Sequence, residues 1–371
     1  MSDTLKSLLD DAANDAKQYD VTEAAVRGAR RRRGALVLGP IAAVVAVALV
    51  ALGIWLPGRH TDHSAPPARP QQVGARAGVD VALGWSVYTT SGARLAVPAD
   101  INVIHATRDG GWIVLDLDGD LWHLDRTGAR HKLASHQEQL VTDPSGTRIA
   151  FGAKRSLTVA RLSGDRLTDV HTTRVPSGLV VPTLIRTDGA VVLVRSMSTT
   201  GSRYDLWRPD HGDYRPTAGH PLYSVDGLTA DGRTLVGRTG SAGSQCLTRI
   251  DPDHGFTTGG CTRTGALLGV IVSPTGVVLA ADTTGYVTYR PVGDGYRKGG
   301  RWTLATHGWI RPGYAGWDAA TWANDHTAVM FAQVKGGPMR LLRLDTDRPG
   351  AVTGITLPGN GIPALADPVT G

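Results

Sequence analysis

A strand, a tight turn and a second apolar strand recur down this 371-residue chain at a nearly constant interval. The copies read HATRDGGWIVLDL, VTDPSGTRIAFGA, IRTDGAVVLVRS, LTADGRTLVGRTG, IVSPTGVVLAADT and TWANDHTAVMFAQ. With Gly110, Gly146, Gly189, Gly232, Gly276 and Asp325 as markers, the spacings are 36, 43, 43, 44 and 49 residues. Downstream of each lies a further strand and turn: LWHLDRTG, LTVARLSG, LWRPDHG, LTRIDPDHG, YVTYRPVGDG and LLRLDTDRPG. Four short strands in about 43 residues is the period of a β-propeller blade. The 47 glycines and 21 prolines supply the turns, and no helix-length periodic stretch interrupts residues 79–371. A helical bundle or coiled coil is excluded.

The two ends of this region complete the count. IPALADPVTG, at 362–371, reads as a seventh strand-plus-turn, with Gly371 lying 46 residues after Asp325. VDVALGWSVYTTSGARLAVP, at 79–98, lacks that opening strand but otherwise reads as a blade. Joined, the two make one blade whose inner strand comes from the C-terminal segment, leaving no edge open. The expected fold is therefore an all-β propeller of seven blades, with six as the alternative.

The turns carry a resemblance. Ser273-Pro274-Thr275-Gly276 and Asp143-Pro144-Ser145-Gly146 resemble the Ser-Pro-Asp-Gly turn before a hydrophobic strand in WD40, TolB and YVTN-type propeller repeats. The whole is similar to membrane-anchored propeller proteins of actinobacteria, and its 33 arginines against 6 lysines suit a high-GC bacterium. The resemblance implies a fold and leaves function open. Trp317-Asp318 does not stand at a blade's end, so the chain departs from true WD40 repeats.

Before the propeller, Ala35 to Leu56 is a run of 22 uncharged residues. As a helix it would be roughly 33 Å long, enough to cross a hydrocarbon core of about 30 Å. It is longer than the roughly 7–15 apolar residues of a signal peptide. Arg27, Arg30, Arg31, Arg32 and Arg33 precede it, whereas only Arg59, Arg69 and Arg76 follow within 20 residues. The positive-inside rule then sets the N-terminus in the cytoplasm and the propeller outside. The expected organisation is a cytoplasmic helical segment over 1–34, a transmembrane helix over 35–57 in the lipid bilayer, a Pro-rich extended linker over 58–78 and an extracytoplasmic propeller over 79–371. This is a single-pass protein of the cell membrane. Residues 1–34 carry seven basic and six acidic side chains, with Leu5, Leu8, Leu9, Ala12 and Ala16 at helical spacing. They read as a topology-setting leader or as a docking helix, residues 1–27, for a cytoplasmic partner.

Cys246 and Cys261 both fall in the exported region, where oxidation is possible. Between them a turn is centred on Asp253-His254, so symmetric pairing sets the two cysteines face to face across one hairpin. A disulfide is expected.

Other chemistry is thin. Asp116, Asp118 and Asp120 in LDLDGDLW alternate with Leu115, Leu117 and Leu121, which reads as a hairpin turning at Asp118-Gly119. A calcium loop would need further oxygen ligands and a downstream Glu. His105, His123, His131 and His136 read as surface histidines, because zinc needs three or four converging ligands. No G-x-S-x-G elbow is present. Trp302, Trp309, Tyr314, Trp317 and Trp322 crowd into 21 residues, either as blade packing or as a platform for carbohydrate or peptide. The net charge of +6 includes no basic run after residue 79, so nucleic acid is not an expected partner. No cofactor, metal or catalytic residue is assigned. The expected function is non-enzymatic: an anchored propeller that binds or senses a protein or envelope ligand. Two alternatives are a signalling partner that resembles an anti-sigma factor, acting through residues 1–27, and a lyase or glycosidase on the propeller scaffold.

Overall fold

Antiparallel pairing between successive strands builds the computed structural model, which describes residues 72–369 apart from 98–99, 154, 177–180, 197–200, 217–220, 242, 283, 304–308, 313–319, 335–338 and 359–362. Seven sheets result. Blade 2 is the simplest, with strands Ile101–Ala106, Trp112–Asp116, Leu121–Leu124 and Arg130–Ala134 from inside outward. Blade 3 (Gln139–Thr142, Arg148–Ala153, Ser156–Ser163, Arg166–Arg174) and blade 6 (Gly269–Val272, Val278–Ala281, Gly285–Val292, Gly295–Thr303) repeat it. Blade 4 pairs Val181–Ile185, Val191–Ser196 and Arg203–Trp207. A 3-10 turn, Pro209–His211, follows its third strand.

Two blades break a strand in two. The outer strand of blade 5 is split into Thr257–Thr258 and Thr262–Thr264, both along the edge of Ser244–Asp251; inside them lie Leu235–Ser241 and Ser224–Leu228. In blade 7 the inner position is shared by Trp309–Pro312 and Ala320–Asn324, both paired with Thr327–Val334. Met339–Asp345 and Val352–Thr356 complete that blade. The longest repeat interval in the sequence is this divided inner strand.

Blade 1 is closed as expected. Pro363–Leu365 pairs antiparallel with Val81–Leu83, in register Val81 to Leu365 and Leu83 to Pro363, and Ser86–Tyr88 and Arg94–Ala96 lie outside it. The chain's two ends thus share one sheet.

Why the sheets form a ring follows from the period of two. In blade 4, Val191 and Leu193 pack with Ala150, Leu157 and Val159 of blade 3, while Val192 and Val194 pack with Val225 and Leu235 of blade 5. In blade 2, Ile113 and Leu115 face blade 3 and Trp112 and Val114 face blade 1. Strands apolar on both faces bury only between two other sheets. Every one of the seven blade interfaces holds such a core, the last between blades 7 and 1, where Phe331, Leu341 and Ile355 meet Val81 and Leu365.

The fold starts earlier than the sequence implied. Residues Val73–Ala77, expected within the extended linker, form a short helix, α1, ended by Gly78 at φ +77°. Val73 and Ala77, four residues apart and so on one face, join the core between blades 7 and 1. Gly74 lies so close to the Tyr88 and Thr89 backbone that a Cβ would meet the Tyr88 carbonyl at 2.3 Å. The expected segments 1–34 and 35–57, and most of 58–78, lie outside the described residues. Among the described residues no helix is long and apolar enough to cross a membrane.

Candidate functional site: the axial channel

The turn after each inner strand is built by one device. In blades 2 to 6 the amide of Gly110, Gly146, Gly189, Gly232 or Gly276 donates to the carbonyl three residues before it, at 2.8–3.0 Å. Those glycines sit at φ +63° to +85°, which side chains resist. Hydroxyl and carboxylate groups lock the loop, as in Thr107 to Asp109, Ser145 to Asp143 and Thr229 to Asp231. Successive turns also touch: the Arg108 amide donates to the Gly146 carbonyl at 3.2 Å, and that of Thr187 to Gly232 at 3.0 Å. The result is a rim around the axis on one face.

Inside this rim opens a channel of about 350 Å³. It is bordered by Leu140, Leu184, Leu228, Val270 and Trp322 from five blades, which also pack into the blade interfaces, and by polar residues such as Thr142, Thr183, Thr229 and Ser273. Its charged groups are few. The Asp143 carboxylate accepts the Thr147 and Arg148 amides and the Ser145 and Thr147 hydroxyls, so it belongs to its own turn. Asp226, wholly buried at its side chain, is held in two bonds of 2.9 and 3.0 Å by Arg238 and accepts the Ser224 hydroxyl. Burial pushes the Asp226 carboxyl up and Arg238 opposes it. Asp367 is different. It follows the closing strand, its side chain is 61% exposed, and it accepts the Thr321 hydroxyl of blade 7. Its other oxygen lies 3.7 Å from Nδ1 of His105 in blade 2. Among the described lining residues there is no lysine or arginine.

Outside the channel, Arg186 is buried and ties blade 4 to blade 5, bonding Asp188 and Asp253 at 2.7 Å each. Arg186 bonding holds the Asp253 carboxyl below the usual range. In blade 4 the Tyr214 hydroxyl donates to the buried Asp205. Burial, with the Asp205 charge beside it, pushes the Tyr214 phenol up. These groups bolt blades together.

The residues singled out from the sequence distribute unevenly. Cys246 and Cys261 are bonded, with Cα atoms 5.1 Å apart. The hairpin register is shifted from the symmetric expectation, for Cys246 stands opposite Arg263, and Cys261 lies in the break of the outer strand. The Asp116 carboxylate accepts the amides of Asp118 and Asp120 and the Trp122 indole, so LDLDGDLW is a hairpin. Two histidines correct the surface reading. His105 and His123 are buried, each beside an aspartate, with His123 Nε2 3.3 Å from Asp109. Strand alternation points both inward, a placement that single-residue polarity does not reveal. No group of three His, Cys, Asp or Glu suited to a metal occurs among the described residues.

Of the five clustered aromatics, Trp302 and Trp322 are 1% and 3% exposed and pack with Tyr286 and Met330 between blades 6 and 7. For these two, blade packing is the outcome and the open platform is not. Trp309 begins the strand Trp309–Pro312, while Tyr314 and Trp317 lie outside the described residues, as do Arg27 and Arg30 to Arg33. Trp85 is the aromatic that sequence reasoning passed over. It stands at a hairpin tip, 60% exposed.

No protein-family model and no curated protein matches the sequence. Solved structures do match. A functionally unknown protein from Desulfotomaculum acetoxidans superposes with a TM-score of 0.54 at 13% identity, covering 78% of this chain and 99% of that one. The Dos1 propeller aligns at 0.46 and 10% identity over 76% and 75% of the two chains. A TolB from Agrobacterium tumefaciens aligns at 0.38 and 16%, over 65% and 93%. The first of these likenesses, at 13% identity, is one of fold alone. The chain is a seven-bladed propeller.

Proposed function

We propose that this chain is a non-enzymatic, membrane-anchored propeller that binds or senses a protein or ligand outside the membrane. The axial channel carries this reading. It is a concave cavity bordered by both apolar and polar residues and ringed by loops from blade after blade on a rigid scaffold, which suits a binding site. The anchoring half of the reading rests on the uncharged run Ala35–Leu56 and the arginines before it. A second reading, in which residues 1–27 relay the occupancy of the propeller to a cytoplasmic regulator, is favoured by the helical spacing of Leu5, Leu8 and Leu9.

Affinity purification of the full-length chain from host membranes, beside a variant lacking residues 2–26, tests both. The binding reading expects the same envelope partners with either form. A cytoplasmic regulator recovered only with the full-length chain establishes the relay. Turnover of a cell-wall or polysaccharide substrate by the purified chain defeats the non-enzymatic reading.

A further inference from the structure

We infer that the end of the propeller opposite the glycine-turn rim docks a protein segment carrying bulky apolar and cationic side chains, centred on Trp85 and Leu117. This rests on the binding reading above and places the partner on a surface outside the channel. The rim holds the turns after the first and third strands of each blade, and the other end holds the hairpins after the second strands and the links between blades. Among the described residues five large apolar side chains are exposed, and Trp85, Leu117 and Leu268 stand at this second end. Val292 stands at the rim and Val170 on an outer strand. Trp85 and Leu117, 60% and 55% exposed, lie in the corresponding hairpins of neighbouring blades 1 and 2. Backbone bonds knit these hairpins into one strip. The Val97 amide donates to the Trp85 carbonyl at 2.9 Å, that of Leu117 to Asp100 at 3.0 Å, and that of Gln137 to Gly119 at 2.7 Å. Asp100 borders both tips, since a Cβ on Gly84 would lie 4.0 Å from its carboxylate. The apolar pair is thus presented on a backbone ordered before any partner arrives.

Charge selects the partner. The four loops of this strip, 84–85, 97–100, 117–120 and 135–138, contain Asp100, Asp118, Asp120 and Glu138, with His136 and no lysine or arginine, in a chain of net charge +6. Lys132 reaches in to bond Asp120 at 2.6 Å. The turns of blade 2 at the rim carry Arg108 and Arg126 instead. Asp118 and Glu138 are exposed beside the apolar pair. A segment alternating apolar and basic residues fits this surface. Its apolar groups cover Trp85 and Leu117, and its cations meet the carboxylates or the indole face. An anionic lipid surface would be repelled by the same carboxylates. The chain enters the propeller at the other end, where Gly74 of α1 lies against Tyr88 and Thr89, so this face is turned away from the point of entry.

Fluorescence anisotropy with the full-length chain in phosphatidylcholine nanodiscs, against empty nanodiscs, tests this with three labelled peptides that alternate leucine with lysine, serine or glutamate. The lysine peptide should bind at least ten-fold more tightly than the serine peptide, and the glutamate peptide should not bind. Trp85→Ser should weaken the lysine peptide at least ten-fold and Leu117→Ser several-fold, with melting temperatures unchanged because both side chains are exposed. Asp118→Asn with Glu138→Gln should remove the advantage of lysine over serine, and Val292→Ser at the rim should change nothing. Equal affinity for the three peptides, lysine-peptide binding that survives Trp85→Ser, or no binding would overturn the inference. So would Trp85-dependent capture of phosphatidylglycerol vesicles, which would make the partner a membrane. Envelope partners still captured by the Trp85→Ser chain would then leave the broader binding reading standing.

Discussion

Arg238 reaches from the second strand of blade 5 to a carboxylate with no exposure at all. Its guanidinium bonds Asp226, the Ser224 hydroxyl, the Gln245 amide oxygen and the Leu267 carbonyl, and stacks 5.2 Å from the Tyr223 ring. A buried pair of this kind contributes little net stability, but breaking it strands a charge. Arg238→Met is expected to destabilise by about 3–5 kcal/mol, and adding Asp226→Leu should recover most of that loss. Chemical denaturation of the single and double variants measures both. Asp231 carries a pH signature. Burial alone would raise its carboxyl, yet Thr234, the Arg233 amide and the Thr229 hydroxyl hold it at about 2 against an ordinary 3.8. Because the folded value is depressed, its contribution is complete above 3.8 and disappears as pH falls through about 2. Thermal melts across that window should show Asp231→Asn losing less stability on acidification than the unaltered chain.

At the scale of elements, the inter-strand turns separate backbone demand from packing demand. Gly164 and Gly232 both sit at positive φ, +57° and +66°, but a Cβ on Gly164 would meet nothing. On Gly232 it would lie 2.2 Å from Thr187 of the preceding blade. Gly164→Ala should therefore cost about 1–2 kcal/mol for the left-handed backbone alone. Gly232→Ala should cost clearly more, and the difference between their melting temperatures reads the blade contact. The broken outer strand of blade 5 is the other informative element. The strand stops at Thr258 and resumes at Thr262, with the Gly259 amide still bonded to the Arg249 carbonyl, and the Cys246–Cys261 bond lies at this break across a separation of 15 residues. Reduction is expected to lower stability by about 3 kcal/mol by the chain-entropy estimate, seen as a drop in melting temperature with reductant that a double Ser variant reproduces without it. These turns and this bond were readable beforehand, since Gly, Asp, Ser and Pro have strong local preferences. The break and its shifted register were not, because they depend on blade 6: Thr262 exchanges bonds with the Tyr296 backbone there.

For the whole molecule, closure is the central event. Leu365 and Ala364 point to opposite faces of one short strand and enter the cores on either side of blade 1. A full chain lacking residues 358–371 loses that strand, leaving Val81–Leu83 as an unpaired, apolar edge. It should self-associate on size-exclusion chromatography and lose its single sharp melting transition. A monomer melting like the unaltered chain would mean that the ring holds without its closing strand.

The blade count and the shared first blade were legible in the sequence alone, because period and turn chemistry are local properties written in consecutive residues. The disulfide was legible for the same reason, as two cysteines around one hairpin. What the tertiary structure decided concerns which side of a strand a residue faces and what lies across the ring. His105 and Asp367 are 262 positions apart in sequence and meet only because closure sets blade 1 between blades 7 and 2. The burial of His123 and Trp322, the folding of Val73–Ala77 into the last interface, and the axial channel all arise from juxtapositions between blades. Local pattern specifies the blades, whereas the chemistry at the axis exists only once seven of them have closed.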